Sequence, residues 1–376
     1  MSHPKLLYFV TEDWYFCSHR LPLALAAQGA GYDVTVVTHV KEHGEAIRRA
    51  GIRIIPFNLS RRGMNLLSEL VVLARLALLY RKEKPDLVHH VAMKPVLYGS
   101  LAARLSGGLR VVNALAGLGY VFTSDEPKAR LLRLVIGGAF RGILNIRVSR
   151  LILQNQDDHA MFIRKRFINE ERMRLIRGSG VDTAVFLPTP EPSDIPVVML
   201  VSRMLGDKGI KEFVEAARQL KDRGIDARFV LVGDTDPDNP SAISHEQLTA
   251  WHAEGMVEWW ERRDDMPTVL AQSHIVCLPS YREGLPKVLL EAASCGRPIV
   301  ATDTPGCREI VRNGDNGLLV PVRSTVELAD AIQSLIEKPE LRQKMGDRGR
   351  AIVVGEFSIE KVIKDTLAVY SELLAQ

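Results

Sequence analysis

Short runs of β-branched and aliphatic residues recur along the chain, separated by longer stretches with apolar positions at helical spacing. LLYFV, DVTVVT, IRIIPF, DLVHH and RVVNAL read as strands, because such side chains fit a pleated, buried surface. Arg20 to Gln28, a short segment through Ile47, and a long segment from about Asn65 to Arg81 read as helices. TEDWYFCSH, after the first strand, reads as a loop. LILQN and MRLIRGSG extend the strand series. This alternation predicts βαβ units around a parallel sheet.

The rhythm pauses at TAVFLPTPEPSDIP, residues 183–196, where Pro188, Pro190, Pro192 and Pro196 mark an interdomain linker. It then restarts. VVMLVSR, ARFVLVGD, SHIVCLPS and RPIVATD read as strands, with helices over Lys208 to Arg223 and Leu285 to Ser294. The C-terminal stretch reads as helical, broken near Pro339 and again near Gly355. The expectation is an α/β chain with two Rossmann-like domains facing across a cleft. The first spans 1–185, a linker covers 186–196, the second spans 197–355, and a helix occupies 356–376.

Composition narrows the class. A chain of 376 residues accommodates two domains, and 46% apolar with 25% charged residues excludes a disordered tail. Cys17, Cys277, Cys295 and Cys307 form no CxxC pair, which argues against structural zinc and fits a reducing compartment. MSHPKLLYFV carries no signal-peptide pattern, and Met64 to Tyr80 is broken by Glu69 and Arg75, so it is no membrane span. A cytoplasmic protein is expected.

Charge adds a second feature. Residues 1–190 hold 27 Lys and Arg against 15 Asp and Glu; residues 191–376 hold 22 against 30. The first half is therefore net basic and the second net acidic, which fits an anionic surface or substrate on the first. SRRGMNLLSELVVLARLALLYRKEK and KARLLRLVIGGAFRGILNIRVSR combine apolar centres with basic residues, and each can lie on a bilayer surface or form a core helix. No nucleic-acid module accompanies the charge.

The chemistry concentrates in the second half. A dinucleotide fingerprint is absent: the first strand is followed by no glycine, and Gly117 and Gly119 lack the rest of the motif. In VSRMLGDKG, Arg203 follows a strand and Lys208 begins a helix, so both can meet a diphosphate; surface positions are the plain alternative. In PSYREGLPKVLLEAASCGRP, Glu283 lies in a loop and Glu291 within the following helix. Gly284 permits close approach, and the amides of Gly284, Leu285 and the first helical residues can hold a phosphate. Pro286 suits an early helical position. Glu291 can accept hydrogen bonds from sugar or ribose hydroxyls, and its apolar neighbours call for a donor partner. The two carboxylates also admit a hydrolase acid–base reading. Asp234 and Asp236 form a DxD in a turn-rich loop and are read as loop residues rather than metal ligands.

These segments, with NGLLVP, resemble the retaining glycosyltransferases of family 4, which have the GT-B fold. Glu283 and Glu291 occupy the family's E-x7-E positions, and Arg203 and Lys208 its diphosphate-binding ones. The resemblance implies transfer from a nucleotide-sugar with retention and no obligatory metal. It also implies a final helix, Phe357 to Leu374, that crosses back to the first domain. DLVHHVAMKP alters the family's histidine pattern, with His90 the positional candidate and His89 its rival; Lys94 can meet an anionic acceptor. SHRLPLALAAQGAGYDVTVVT, HHVAMKPVLYGSLAARLSG and NALAGLGYVF resemble a subgroup acting in bacterial polysaccharide assembly. That likeness implies a UDP-sugar donor and an undecaprenyl-diphosphate-linked saccharide acceptor, on the inner face of the plasma membrane. A UDP-sugar epimerase of the same fold and a non-catalytic carbohydrate-binding protein are the alternatives.

Overall fold

The structure, a computed structural model, describes residues 3–59, 66–115, 127–192, 194–237 and 239–376. The Gly117/Gly119 motif and the Arg61–Arg62 pair lie outside the described residues. The chain divides into two compact units, Met1–Ser179 with Val362–Gln376, and Gly180–Lys361.

In the first unit, β1 (Lys5–Glu12), β2 (Asp33–His39), β3 (Arg53–Pro56), β4 (Leu87–Val91), β5 (Arg110–Leu115), β6 (Ser149–Leu153) and β7 (Met173–Leu175) form one parallel sheet in the order 3-2-1-4-5-6-7. The helices are α1 (Asp13–His19), α2 (Leu21–Gly29), α3 (Gly44–Arg49), α4 (Leu66–Glu83), α5 (Met93–Leu105), α6 (Pro127–Ile143) and α7 (Gln156–Arg164). Both sheet faces are covered, so β1 buries residues of either parity. Leu6, Tyr8 and Val10 pack with α1 and α2, while Leu7 and Phe9 pack with α4 and α5.

Helix α1 replaces the loop expected after the first strand. Seven residues are too few to show helical periodicity, and its supports come from elsewhere. The Asp13 carboxylate accepts the amides of Lys41 (2.6 Å) and His43 (3.0 Å), and Phe16 packs edge-on against Tyr8.

In the second unit, β8 (Val197–Val201), β9 (Arg228–Val232), β10 (Glu258–Trp259), β11 (Ile275–Leu278), β12 (Ile299–Thr302) and β13 (Gly317–Val320) form a parallel sheet in the order 10-9-8-11-12-13. Counted from its own first strand this is again 3-2-1-4-5-6. Its helices are α8 (Ile210–Asp222), α9 (His245–Ala253), α10 (Met266–Ala271), α11 (Lys287–Ser294), α12 (Pro305–Ile310), α13 (Thr325–Ile336) and α14 (Pro339–Glu356). The proline-rich segment is fastened to this unit. Arg297 donates to the carbonyls of Thr189 and Pro190, and Arg342 pairs with Glu191 at 2.8 Å.

The last helix, α15 (Ile359–Leu374), returns to the first unit. Val362, Val369, Tyr370 and Leu373 enter the core beside Tyr8, and Glu372 pairs with Arg150 at 2.6 Å and Arg174 at 2.7 Å. Among the described residues no helix is long and apolar enough to cross a membrane.

Candidate active site

The second sheet changes direction between β8 and β11: the chain leaves β8 toward β9 and leaves β11 toward β12. At such a switch point the loops at the carboxyl ends diverge and open a crevice, where open parallel sheets bind ligands. Arg203 follows β8, Lys208 ends the 3-10 turn Gly206–Lys208, and Glu283 lies in the loop after β11. Lys208 thus precedes α8 rather than opening it.

Two glycines let these loops meet. Gly209, at φ +75°, passes so close to Pro279 that a Cβ would stand 2.2 Å from its carbonyl oxygen. On the other side, a Cβ on Gly306 would lie 2.7 Å from the Glu283 oxygen and 2.6 Å from that of Gly284. The Gly306 amide donates to the Glu283 carbonyl at 3.2 Å. Thr302 Oγ1 donates to the Ser280 carbonyl, and Ser280 Oγ donates to that of Asp207 at 3.1 Å. Held this way, the Lys208 ammonium meets Glu283 Oε1 at 2.5 Å, with both side chains mostly shielded. Cys307 lies behind the loop; burial, then the Glu283 charge, push its thiol up to about 12, so it stays protonated.

Gly284 and Leu285 continue the loop, and Pro286 is the N-cap of α11 rather than a helical residue. Glu291 is one turn into α11 and buried, 6% exposed. Burial raises its carboxyl above the ordinary range, opposed by the Lys287 ammonium at 3.2 Å. The donor it needed is therefore on its own helix.

The Arg203 guanidinium turns elsewhere: it pairs with Asp236 Oδ2 at 2.7 Å, in the loop after β9. In the sequence that partner reads only as part of a DxD turn. The sequence does not mark Asp236, Gly209 or Gly306 as site residues, since their roles depend on segments distant in the chain.

In the first unit, His89 and His90 are successive residues of β4 and point to opposite faces, both buried. His90 has both ring nitrogens engaged, with Tyr80 Oη at 3.0 Å and Asn113 Oδ1 at 2.9 Å, and burial lowers its pKa to about 4. His89 Nδ1 meets Tyr370 Oη at 2.5 Å, and burial lowers its pKa well below the usual value. Lys94 pairs with Glu69 at 3.3 Å. Immediately after β4, Ala92 adopts φ +81°.

Two parallel sheets that share the strand order 3-2-1-4-5-6, with paired charges at the second sheet's switch point, define a doubly wound α/β protein with a ligand-binding crevice there. Residues 185–374 match the family of glycosyl transferases group 1, and residues 5–155 match the glycosyl transferase 4-like family. The chain belongs to the group 1 glycosyl transferases and is a glycosyltransferase of the GT-B fold. It is 30% identical over 336 residues to the N,N'-diacetylbacillosaminyl-diphospho-undecaprenol alpha-1,3-N-acetylgalactosaminyltransferase of Campylobacter jejuni, covering 86% of this chain and 87% of that one. It is 26% identical to a UDP-Gal:alpha-D-GlcNAc-diphosphoundecaprenol alpha-1,3-galactosyltransferase of Escherichia coli, covering 83% of this chain and 82% of that one. HepE of Anabaena, solved in complex with UDP and glucose, shares the fold at a TM-score of 0.79 and 20% identity, over 98% of this chain and 100% of that one.

Proposed function

We propose that the protein transfers an N-acetylhexosamine or hexose from a UDP-sugar to an undecaprenyl-diphosphate-linked saccharide in surface polysaccharide assembly, with retention of configuration. The observation that carries this reading is the Lys208–Glu283 contact at the switch point of the second sheet. A cation fixed at that point neutralises a diphosphate as the bond to the sugar lengthens. Arg203 leaves Asp236 to join it, and the amides at the start of α11 add dipoles aimed at the phosphates. The leaving phosphate takes the acceptor proton. Glu283 orients donor hydroxyls, and Glu291 accepts from the ribose. His90, bonded on both nitrogens, serves by holding the end of β4, where the chain turns into α5. The step as written uses no metal.

The acceptor is lipid-linked, so the protein works in the cytoplasm as a peripheral protein on the inner face of the plasma membrane. The support is α4, which exposes Leu70, Val71 and Leu78, together with Arg75, Arg81 and Lys82. Apolar side chains enter the interface while basic ones meet lipid phosphates. Nucleic acid has no part in this reading.

The test uses purified protein, a panel of UDP-sugars and extracted lipid-linked saccharides, read by mass spectrometry. Extension of the saccharide by one sugar, requiring both substrates, is expected. Interconversion of free UDP-sugars without an acceptor, or no turnover with any pair, would overturn the proposal.

A further inference from the structure

The geometry points to Tyr281 as a positioning residue for Glu283, with Arg323 clamping its ring. This rests on the reading of Glu283 as a donor-facing carboxylate. Tyr281 stands two residues before Glu283 in the loop between β11 and α11. Three separate segments hold it. Its amide donates to the carbonyl of Asp207, the neighbour of Lys208, at 2.8 Å. Its hydroxyl donates to Glu212 Oε1 on α8 at 2.6 Å. The Arg323 guanidinium, from the loop between β13 and α13, lies over its ring, 4.6 Å from the centroid.

Arg323 makes the arrangement more than incidental packing. Its backbone is at φ +64°, a left-handed conformation that glycine adopts most easily. A long side chain at such a position carries a conformational cost, and its guanidinium gains a cation–π contact with Tyr281 in return. Burial and the Glu212 carboxylate push the Tyr281 phenol up to about 12, so it remains a neutral hydrogen-bond donor at working pH.

The consequence reaches both charged groups. The Asp207 carbonyl accepts from Tyr281 N–H and from Ser280 Oγ, so the Glu283 loop is tied to the turn that carries Lys208. Tyr281 sets where that loop departs from the turn, and hence where the Glu283 carboxylate stands relative to the Lys208 ammonium. Glu291 and the start of α11 lie beyond this tie. Loosening Tyr281 therefore affects the placement of Glu283 more than the holding of the nucleotide.

The test compares full-length R323G, R323K and Y281F with the unmodified protein. Glycine takes the left-handed backbone without strain, so R323G is expected to melt no earlier than the parent. Its kcat for sugar transfer should fall about tenfold or more, as a displaced reacting group demands. UDP affinity by calorimetry should change by no more than about twofold. R323K, which keeps a cation over the ring, should recover part of the kcat. Y281F, which loses only the bond to Glu212, should show a smaller loss. Amide exchange over residues 280–284 should quicken in R323G and Y281F.

Unchanged kcat and unchanged exchange in R323G would overturn the inference. So would a lowered melting temperature with UDP binding and kcat lost in parallel, since that is general destabilisation. If the unmodified protein transfers no sugar, the functional reading fails, while amide exchange still decides whether Arg323 and Tyr281 hold the loop.

Discussion

Glu291 sits among Leu289, Leu290, Ala292 and Ala293, and burial holds its carboxyl above the ordinary range. For a group whose folded value exceeds its unfolded one, the stabilisation is complete below the unfolded value and disappears as pH rises through the folded one. As pH rises through that raised value, ionising Glu291 therefore works increasingly against folding of the ligand-free protein. E291Q should unfold no earlier than the parent at pH 7.5 yet bind UDP more weakly, by about 1.5–3 kcal/mol for a lost charged hydrogen bond. A thermal melt paired with calorimetry checks both halves; an earlier melt with intact UDP affinity would contradict them. E283A and K208A should lose about 10²–10³ in kcat, the scale of removing one group that stabilises developing charge, while keeping their circular dichroism. Near-normal transfer by either purified variant would remove that residue from the mechanism. Arg203, Lys208 and Glu283 stand out in the sequence because each lies beside a predicted strand end or helix start, and Glu291 because its helical neighbours are apolar. Tyr281 and Arg323 do not, because the cation–π contact between them joins two loops that no local pattern relates.

Strand β4 shows how an element can hide its own meaning. In sequence DLVHH offered two histidines for one role. In a parallel sheet covered on both sides, successive residues enter opposite cores, so neither side chain reaches solvent. Burial lowers both pKa values, His90 to about 4. For a depressed folded value, stability is present above the unfolded value and is lost as pH falls toward the folded one. Melts from pH 7 to pH 4.5 should therefore decline below about pH 6.5, by about 1.4 kcal/mol per pH unit for each histidine held neutral. A flat profile would contradict buried neutral imidazoles. The runs of Val, Ile and Leu made most strands readable in advance. β10, with two residues, and α1, fastened by Asp13 to the segment after β2, lacked the length for a period to appear.

At the scale of the whole molecule, α15 completes the first unit from the far end of the chain. Removing residues 359–376 would expose the partners of Val362, Val369, Tyr370 and Leu373. At about 1.5–3 kcal/mol for each large apolar side chain, the loss rivals the total stability of a domain. The truncated protein should unfold at much lower urea or accumulate insolubly; a urea midpoint equal to the parent's would refute this. The basic first half leads to a further expectation. The protein should co-sediment with phosphatidylglycerol vesicles at low salt and be released as ionic strength rises. Failure to bind at any salt concentration would reject the membrane-facing role of α4.

The amino-acid sequence by itself determined the alternation of strands and helices, the unequal charge of the halves, and the chemical types standing at the strand ends. Those features depend on residues close together in the chain, where periodicity and side-chain type act directly. Only the tertiary structure decided that Lys208 meets Glu283 while Arg203 meets Asp236, that both histidines of β4 are buried, and that Gly306 makes room for the Glu283 loop. Each of these depends on which strands lie side by side, and hydrogen bonding and packing between distant segments settle that order.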